Sequence, residues 1–520
     1  MRRLAIALAA VAAAGCAGRA HTSPLAPEVS RLDAELDSAF AGVAFARASW
    51  GVVIQSLDNG QVLYRRNAQA LFMPASNQKI ITGSVSLARL GADFRYRTPV
   101  LARGTRSGDT LNGDIIVVGR GDVTLSQHQA GGTDVLASLR PWADSIKARG
   151  IRVISGRVVG DATFFPDPVL GEGWMWDDLQ DSYSAPVGAL QFNEGFANIE
   201  VTPGASAGLP ATVRLLPSEA PLRIFADIVT APRDSNINDI DYSRVFYTDS
   251  VTVTGRLSAG HAPVIIEAAV TDPTRYFENA LTQALRDAGI VVLGTRLPPS
   301  NTLRAPVVQA PVMVAPMQAM TGTAPAPSTQ PPAPDTLFTW QSPPLRDMLP
   351  LLEKPSQNQI AEAFLHTLGA LRGEASIDSG RAVVKETLTG WGIPEDAYVY
   401  RDGSGLSRYN YVAPEALAAV LSTIAKHPDF QAFYLALPIA GVDGTIETRM
   451  RGTAAMNNVH AKTGSIANVR SLSGYVTTRD GEKMVFVLMA NHFTANRRVV
   501  ERVQDFVAER LANFSRSVSR

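Results

Sequence analysis

The chain has 520 residues, 46% hydrophobic and 18% charged, a balance that describes folded globular protein and excludes a disordered one. Its length exceeds one ordinary core, so about two to four domains are expected. Formal net charge is zero, which leaves no overall electrostatic basis for nucleic-acid binding. With one cysteine, seven scattered histidines and no His-Glu-x-x-His, neither a metal site nor an intrachain disulfide is expected, and no cofactor is implied.

In chain order, Arg2-Arg3 and the 11-residue apolar run from Leu4 to Ala14 read as an export signal, too short to stay as a membrane span. The run ends at Ala13-Ala14-Gly15-Cys16, which resembles a lipobox with Ala13 where leucine is more usual. Two routes stay open: lipidation of Cys16, or cleavage after Ala-x-Ala and free release. Residues 28–43 have helical periodicity, and 48–57 and 61–64 read as strands joined by the hairpin turn Asp58-Asn59-Gly60. Pro74-Ala75-Ser76 opens a helix with apolar Ile80, Val85, Ala88 and Leu90, closing at Gly91.

From 95 to 304 the texture changes to short strands with Gly-rich turns, at 110–119, 151–160, 211–216 and 250–257, interrupted by one helix at 273–288. This reads as a β-rich insertion with a smaller unit nested at about 197–258. Residues 305–335, rich in Ala, Pro, Met, Thr and Gln, read as a flexible loop. Helices are then expected at 345–353, 360–371 and 381–391, strands at 460–465, 470–479 and 483–491, and a last helix at 497–514. Two N-terminal and three C-terminal strands suggest one five-stranded antiparallel sheet flanked by helices, an α/β (α+β) fold. The catalytic part would then be discontinuous, 28–94 and 336–516.

Three short motifs each occur once: Ser76-Asn77-Gln78-Lys79, Ser356-Gln357-Asn358 and Lys462-Thr463-Gly464. Seven lysines stand against 41 arginines, so lysine at two motif positions is selective. A serine hydroxyl needs a base within hydrogen-bond reach to act as a nucleophile. Three residues along a helix put Ser76 and Lys79 on one face. Arginine cannot be that base, because it keeps its proton, whereas a desolvated lysine beside another cation can lose one. Lys462 would be that cation and could attract a substrate carboxylate, Ser356 could relay a proton, and Asn358 could hold substrate amides.

The triple set resembles the active-site serine penicillin-binding proteins and β-lactamases. The segments 402–408 (Asp402-Gly403-Ser404-Gly405-Leu406-Ser407-Arg408), 440–445 and 173–178 (Gly173-Trp174-Met175-Trp176-Asp177-Asp178), with the long insertion, resemble more narrowly the D-alanyl-D-alanine carboxypeptidase/endopeptidase family of class C, low-molecular-mass penicillin-binding proteins, serine peptidase type S13. That resemblance implies an exported, periplasmic enzyme acting on peptidoglycan peptides and inhibited by β-lactam antibiotics. It implies acylation at Ser76, activation by Lys79, proton relay and peptide positioning by Ser356 and Asn358, and carboxylate binding by Lys462 and Thr463. The backbone N–H groups of Ser76 and Ser465 would form the oxyanion hole. Asp178, Leu406, Arg408 and Ile466 would form the pocket for the stem-peptide side chain. Asp122 is assigned to a turn. Two alternatives stay open, a β-lactamase and a non-catalytic peptidoglycan-binding module.

Overall fold

A computed structural model describes residues 27–246, 248–294 and 334–516. The export signal, Cys16 and nearly all of the Pro/Ala-rich segment lie outside the described residues.

The centre is a five-stranded antiparallel sheet in the order His460–Ile466, Val469–Thr477, Lys483–Asn491, Ser49–Ser56, Val62–Arg66. Ser49–Ser56 and Lys483–Asn491 are buried almost throughout, since both faces of the sheet are covered. On one face the terminal helices Pro27–Phe40 and Arg497–Ala512 bury Leu32, Leu36, Val507 and Leu511 against Val52, Ile54, Phe486 and Leu488. On the other, the helices Gln78–Leu90, Leu345–Glu353, Asn358–Ala370 and Pro414–Ile424 pack around Ile81, Leu349, Phe364 and Leu417.

The chain between the first two motifs builds its own apolar core around Trp142, Ile199, Val253, Tyr276 and Phe277. It holds two three-stranded sheets and a larger sheet whose long hairpin is Arg97–Ser107 with Thr110–Val118. The helix Pro273–Asp287 starts where its chemistry dictates, with Pro273 in the first turn and the Asp272 carboxylate accepting from Arg275 N–H. The expected strand 151–160 is two short ones, Val153–Ile154 and Val158–Asp161, because the chain turns between them where Arg157 N–H donates to Asp114 at 3.0 Å. The expected boundary at 336 falls inside a strand, Asp335–Gln341, that pairs with Arg97–Ala102 of the larger sheet.

Candidate active site

Ser76 sits on a 3₁₀ turn, Ala75–Asn77, that leads into the buried helix Gln78–Leu90. The α-helix therefore opens two residues after Ser76, not at Pro74. Ala75 has φ +47°, a left-handed conformation that alanine seldom adopts. The adjoining strands hold it there: Ser471 Oγ donates to the Pro74 carbonyl at 2.7 Å, and Asn77 Nδ2 donates to Ser473 Oγ at 2.6 Å. The turn lies against His460–Ile466, the edge strand of the sheet, so that Gly464 packs directly over Ser76 N.

Lys79 is fully buried, one helical turn past Ser76. Its Nζ donates to Ser76 Oγ at 3.0 Å, Asn358 Oδ1 at 2.6 Å and the Ser404 carbonyl at 2.8 Å. An ammonium has three donors and fills all three contacts. A neutral amine has two, matched by the amide and the carbonyl, which leaves its lone pair facing the Ser76 hydroxyl. Burial first, and then the charge of Lys462, lower the Lys79 pKa to about 7. The neutral base is thus well populated at physiological pH.

The second motif follows the helix Leu345–Glu353. Ser356 has φ +68°, and Asn358 opens the helix Asn358–Ala370. Asn358 Nδ2 donates to the Tyr183 carbonyl at 2.6 Å, which turns its oxygen toward Lys79. The third motif lies on the edge strand. Lys462, also fully buried, donates to Ser356 Oγ at 2.7 Å and to the Thr463 carbonyl at 3.1 Å. Burial lowers the Lys462 pKa, against the opposing field of Glu353.

The site opens on a cavity of about 410 Å³. Ser76, Ser356 and Asn358 line it, while the two lysines lie beneath its surface. Thr463, Ser465, Asp178, Leu406, Arg408 and Ile466 all line it as well. The segment Asp402–Arg408 is a loop organised around one buried carboxylate. Asp402 accepts from Gly405 N–H at 2.8 Å, Ser407 N–H at 2.6 Å, Asn410 Nδ2 at 2.7 Å and Trp174 Nε1 at 3.1 Å. Glu362 accepts from Gly403 and Ser404 N–H at 3.0 and 2.8 Å, which aims the Ser404 carbonyl at Lys79. Asp122 accepts from Thr124 N–H and Oγ at 2.9 and 2.7 Å and stays out of the cavity.

Tyr183 and Glu353 carry no signal at the level of sequence, and Thr445 is marked there only as the end of the segment 440–445. Tyr183 lines the cavity and donates to Asp178 at 2.7 Å, and Thr445 lines it and accepts from Thr463 Oγ1 at 2.7 Å. Glu353 is fully buried, and neither of its oxygens has a hydrogen-bond partner among the described residues. It packs on the helix Gln78–Leu90 that carries Lys79, where a methyl on Gly83 would stand 2.7 Å from Oε1. Burial raises its pKa, opposed by the fields of Lys462 and Lys79. Among the described residues, no cluster of His, Cys, Asp or Glu could hold a metal.

This chain belongs to the D-Ala-D-Ala carboxypeptidase 3 (S13) family, whose pattern matches residues 32–322 and 320–514. It is 31% identical over 501 residues to the D-alanyl-D-alanine carboxypeptidase of Actinomadura sp., covering 94% of this chain and 85% of that one. It is 29% identical over 450 residues to the D-alanyl-D-alanine carboxypeptidase DacB of Haemophilus influenzae, covering 85% of each. The crystal structure of penicillin-binding protein 4 (dacB) from H. influenzae superposes with TM-score 0.71 at 26% identity, covering 92% of this chain and 99% of that one. A second structure of that protein, complexed with a β-lactam, gives TM-score 0.67 at 25% identity over 92% and 99% of the two chains. Of the readings left open by the sequence, family membership supports the peptidase.

Proposed function

We propose that this serine-type D-Ala-D-Ala carboxypeptidase cleaves peptidoglycan stem peptides through an acyl-enzyme at Ser76, with Lys79 as its base. The single observation that carries the assignment is the Lys79 environment: an amine 3.0 Å from the serine hydroxyl, with two fixed acceptors and a pKa near 7.

Neutral Lys79 takes the hydroxyl proton as Ser76 Oγ adds to the carbonyl carbon of the penultimate D-alanine. The N–H groups of Ser76 and Ser465 hold the resulting oxyanion. Lys462 and Thr463 face the terminal carboxylate across the same edge strand, whose free side offers backbone groups to an extended peptide. As the C–N bond breaks, the departing D-alanine nitrogen takes a proton from Ser356 Oγ, which Lys462 replenishes at 2.7 Å. The proton held by Lys79 restores the one lost from Lys462 by way of solvent, which leaves Lys79 neutral; water then adds to the ester carbonyl, Lys79 takes its proton and passes it to Ser76 Oγ as the ester C–O bond breaks. Asp178, Arg408, Leu406 and Ile466 line the cavity, and their charge of both signs beside apolar surface suits a diamino-acid side chain. A β-lactam would acylate the same serine.

Peptidoglycan lies outside the inner membrane, and the segment from Arg2 to Cys16 supports export. Among the described residues no helix is long and apolar enough to cross a membrane. Attachment through a lipid on Cys16 is the finer proposal, tested by fractionating wild type and Cys16→Ala. For the activity, the test is D-alanine release from a soluble pentapeptide by wild type, Lys79→Arg and Ser76→Ala. Release confined to the wild type is the expected result. Equal release by Lys79→Arg would remove the lysine from the chemistry.

A further inference from the structure

The 3₁₀ turn Trp176–Asp178 has two sides. Asp178 faces the catalytic cavity, and Trp176 lines a second cavity of about 390 Å³. Asp177 lines both, so the two cavities meet at a shared wall. The second cavity is mainly apolar. Trp176 is 69% exposed and Phe246 52%, their rings edge to face with centroids 6.2 Å apart, and Val169 and Leu179 complete the surface. Exposed tryptophan beside exposed phenylalanine is costly in water unless something covers it.

Polar groups are few and placed at the edge. Asp177 is exposed and makes no hydrogen bond or ion pair among the described residues. Gln180 accepts from Arg244 N–H at 3.2 Å, and the Arg244 guanidinium bonds the Ala269 carbonyl with its Nε left without a partner. One aromatic face, one free carboxylate and a few amide-type groups form a surface that suits a pyranose ring. The C–H face of a sugar packs on tryptophan while its hydroxyls and acetamido group bond the rim. A second stem peptide, with several charged groups, would find little here to pair with them.

Substrate direction agrees. With the terminal carboxylate at Lys462 and the diamino-acid side chain at Asp178, the remaining stem leaves the catalytic cavity past Asp178. Two more residues, up to about 7 Å of extended chain, separate the diamino acid from the lactyl ether of the glycan strand. The Trp176 cavity begins at the next residue along the wall. We propose that it is a glycan subsite, receiving the N-acetylated amino sugar that carries the scissile stem peptide. This rests on the peptidase reading above and adds to it a reason for the enzyme to prefer polymer-borne stems over free peptide.

The test compares kcat/KM for D-alanine release from a disaccharide-pentapeptide and from the same pentapeptide without sugar, in wild type, Trp176→Ala and Phe246→Ala. Benzylpenicillin acylation of each protein is recorded alongside, so that failure of the peptidase reading shows separately as loss of acylation in wild type. Wild type is expected to favour the sugar-bearing substrate by about three- to tenfold, the range one aromatic contact spans, with the gain in KM. In both variants the ratio of the two substrates should fall to about one. Equal use of the two substrates by wild type would overturn the proposal, as would an unchanged ratio in Trp176→Ala. A preference for a sugar-free cross-linked dimer, lost in the variants, would also overturn it by assigning the cavity to peptide.

Discussion

Gly464→Ala probes the join between the nucleophile turn and the edge strand. A Cβ at this position would stand 2.1 Å from Ser471 Oγ, 2.6 Å from the Pro74 carbonyl oxygen and 3.1 Å from Ser76 N. Ser471 cannot rotate away without abandoning the Pro74 carbonyl, its acceptor at 2.7 Å. Restoring an ordinary carbon–oxygen separation, about 3.3 Å, requires strand and turn to part by roughly 0.7 Å and the Cβ to move roughly 1.2 Å from Ser471 Oγ. Overpacking of this kind costs about 1–3 kcal/mol of stability, little enough for the variant to fold. The catalytic cost is larger, because Ser76 N and Ser465 N lie on opposite sides of the gap that opens. A misaligned oxyanion donor lowers the rate by about 10²–10³, and a displacement near 1 Å alone accounts for about 10². The assay is the second-order rate of benzylpenicillin acylation, followed by intact mass after acid quench, with a urea melt on the same sample. A folded Gly464→Ala protein acylating within about threefold of wild type would refute the argument that this approach sets the oxyanion geometry.

Other consequences follow from the buried charges. The acylation rate should rise with pH through about 7, because the base works only once Lys79 has lost its proton; a flat profile between pH 5 and 9 would contradict this. Glu353→Gln removes a buried carboxylate that favours the charged forms of both lysines. The ascending limb of that profile should therefore move to lower pH, whereas an unmoved limb would show that Glu353 carries no charge in the working range. Asp402→Ala leaves Gly405 N–H, Ser407 N–H, Asn410 Nδ2 and, from the segment 173–178, Trp174 Nε1 without this acceptor. At about 1–3 kcal/mol for each buried group left unsatisfied, the variant should lose at least about 3 kcal/mol in a urea melt.

The three motifs are legible in the sequence because their chemistry restricts residue type. Of the two strongly basic side chains only lysine can also give up its proton and act as a base, and lysine is rare elsewhere in this chain. The central sheet is legible because Asp58-Asn59-Gly60 and Asp480-Gly481 mark its hairpins between apolar runs. Three helices are not. Pro414–Ile424 has buried residues around most of its circumference and so shows no amphipathic stripe, and Phe430–Ala436 is only seven residues long. Arg140–Ala148 is hidden in a region dominated by strand patterns. Nothing local announces the left-handed Ala75, since long-range bonds from Ser471 and Ser473 impose it. Glu353 and Tyr183 join the site only through tertiary packing, with no spacing rule to find them.

The most direct measurement of the central claim is the mass of the acylated peptide. The protein would be treated with benzylpenicillin, digested with trypsin, and the peptide from Asn67 to Lys79 examined beside that of Ser76→Ala. A single penicilloyl group on Ser76 in wild type, absent from the variant, is the predicted result. An adduct on another residue, or none on well-folded wild-type protein, would contradict the assignment of Ser76 as the nucleophile.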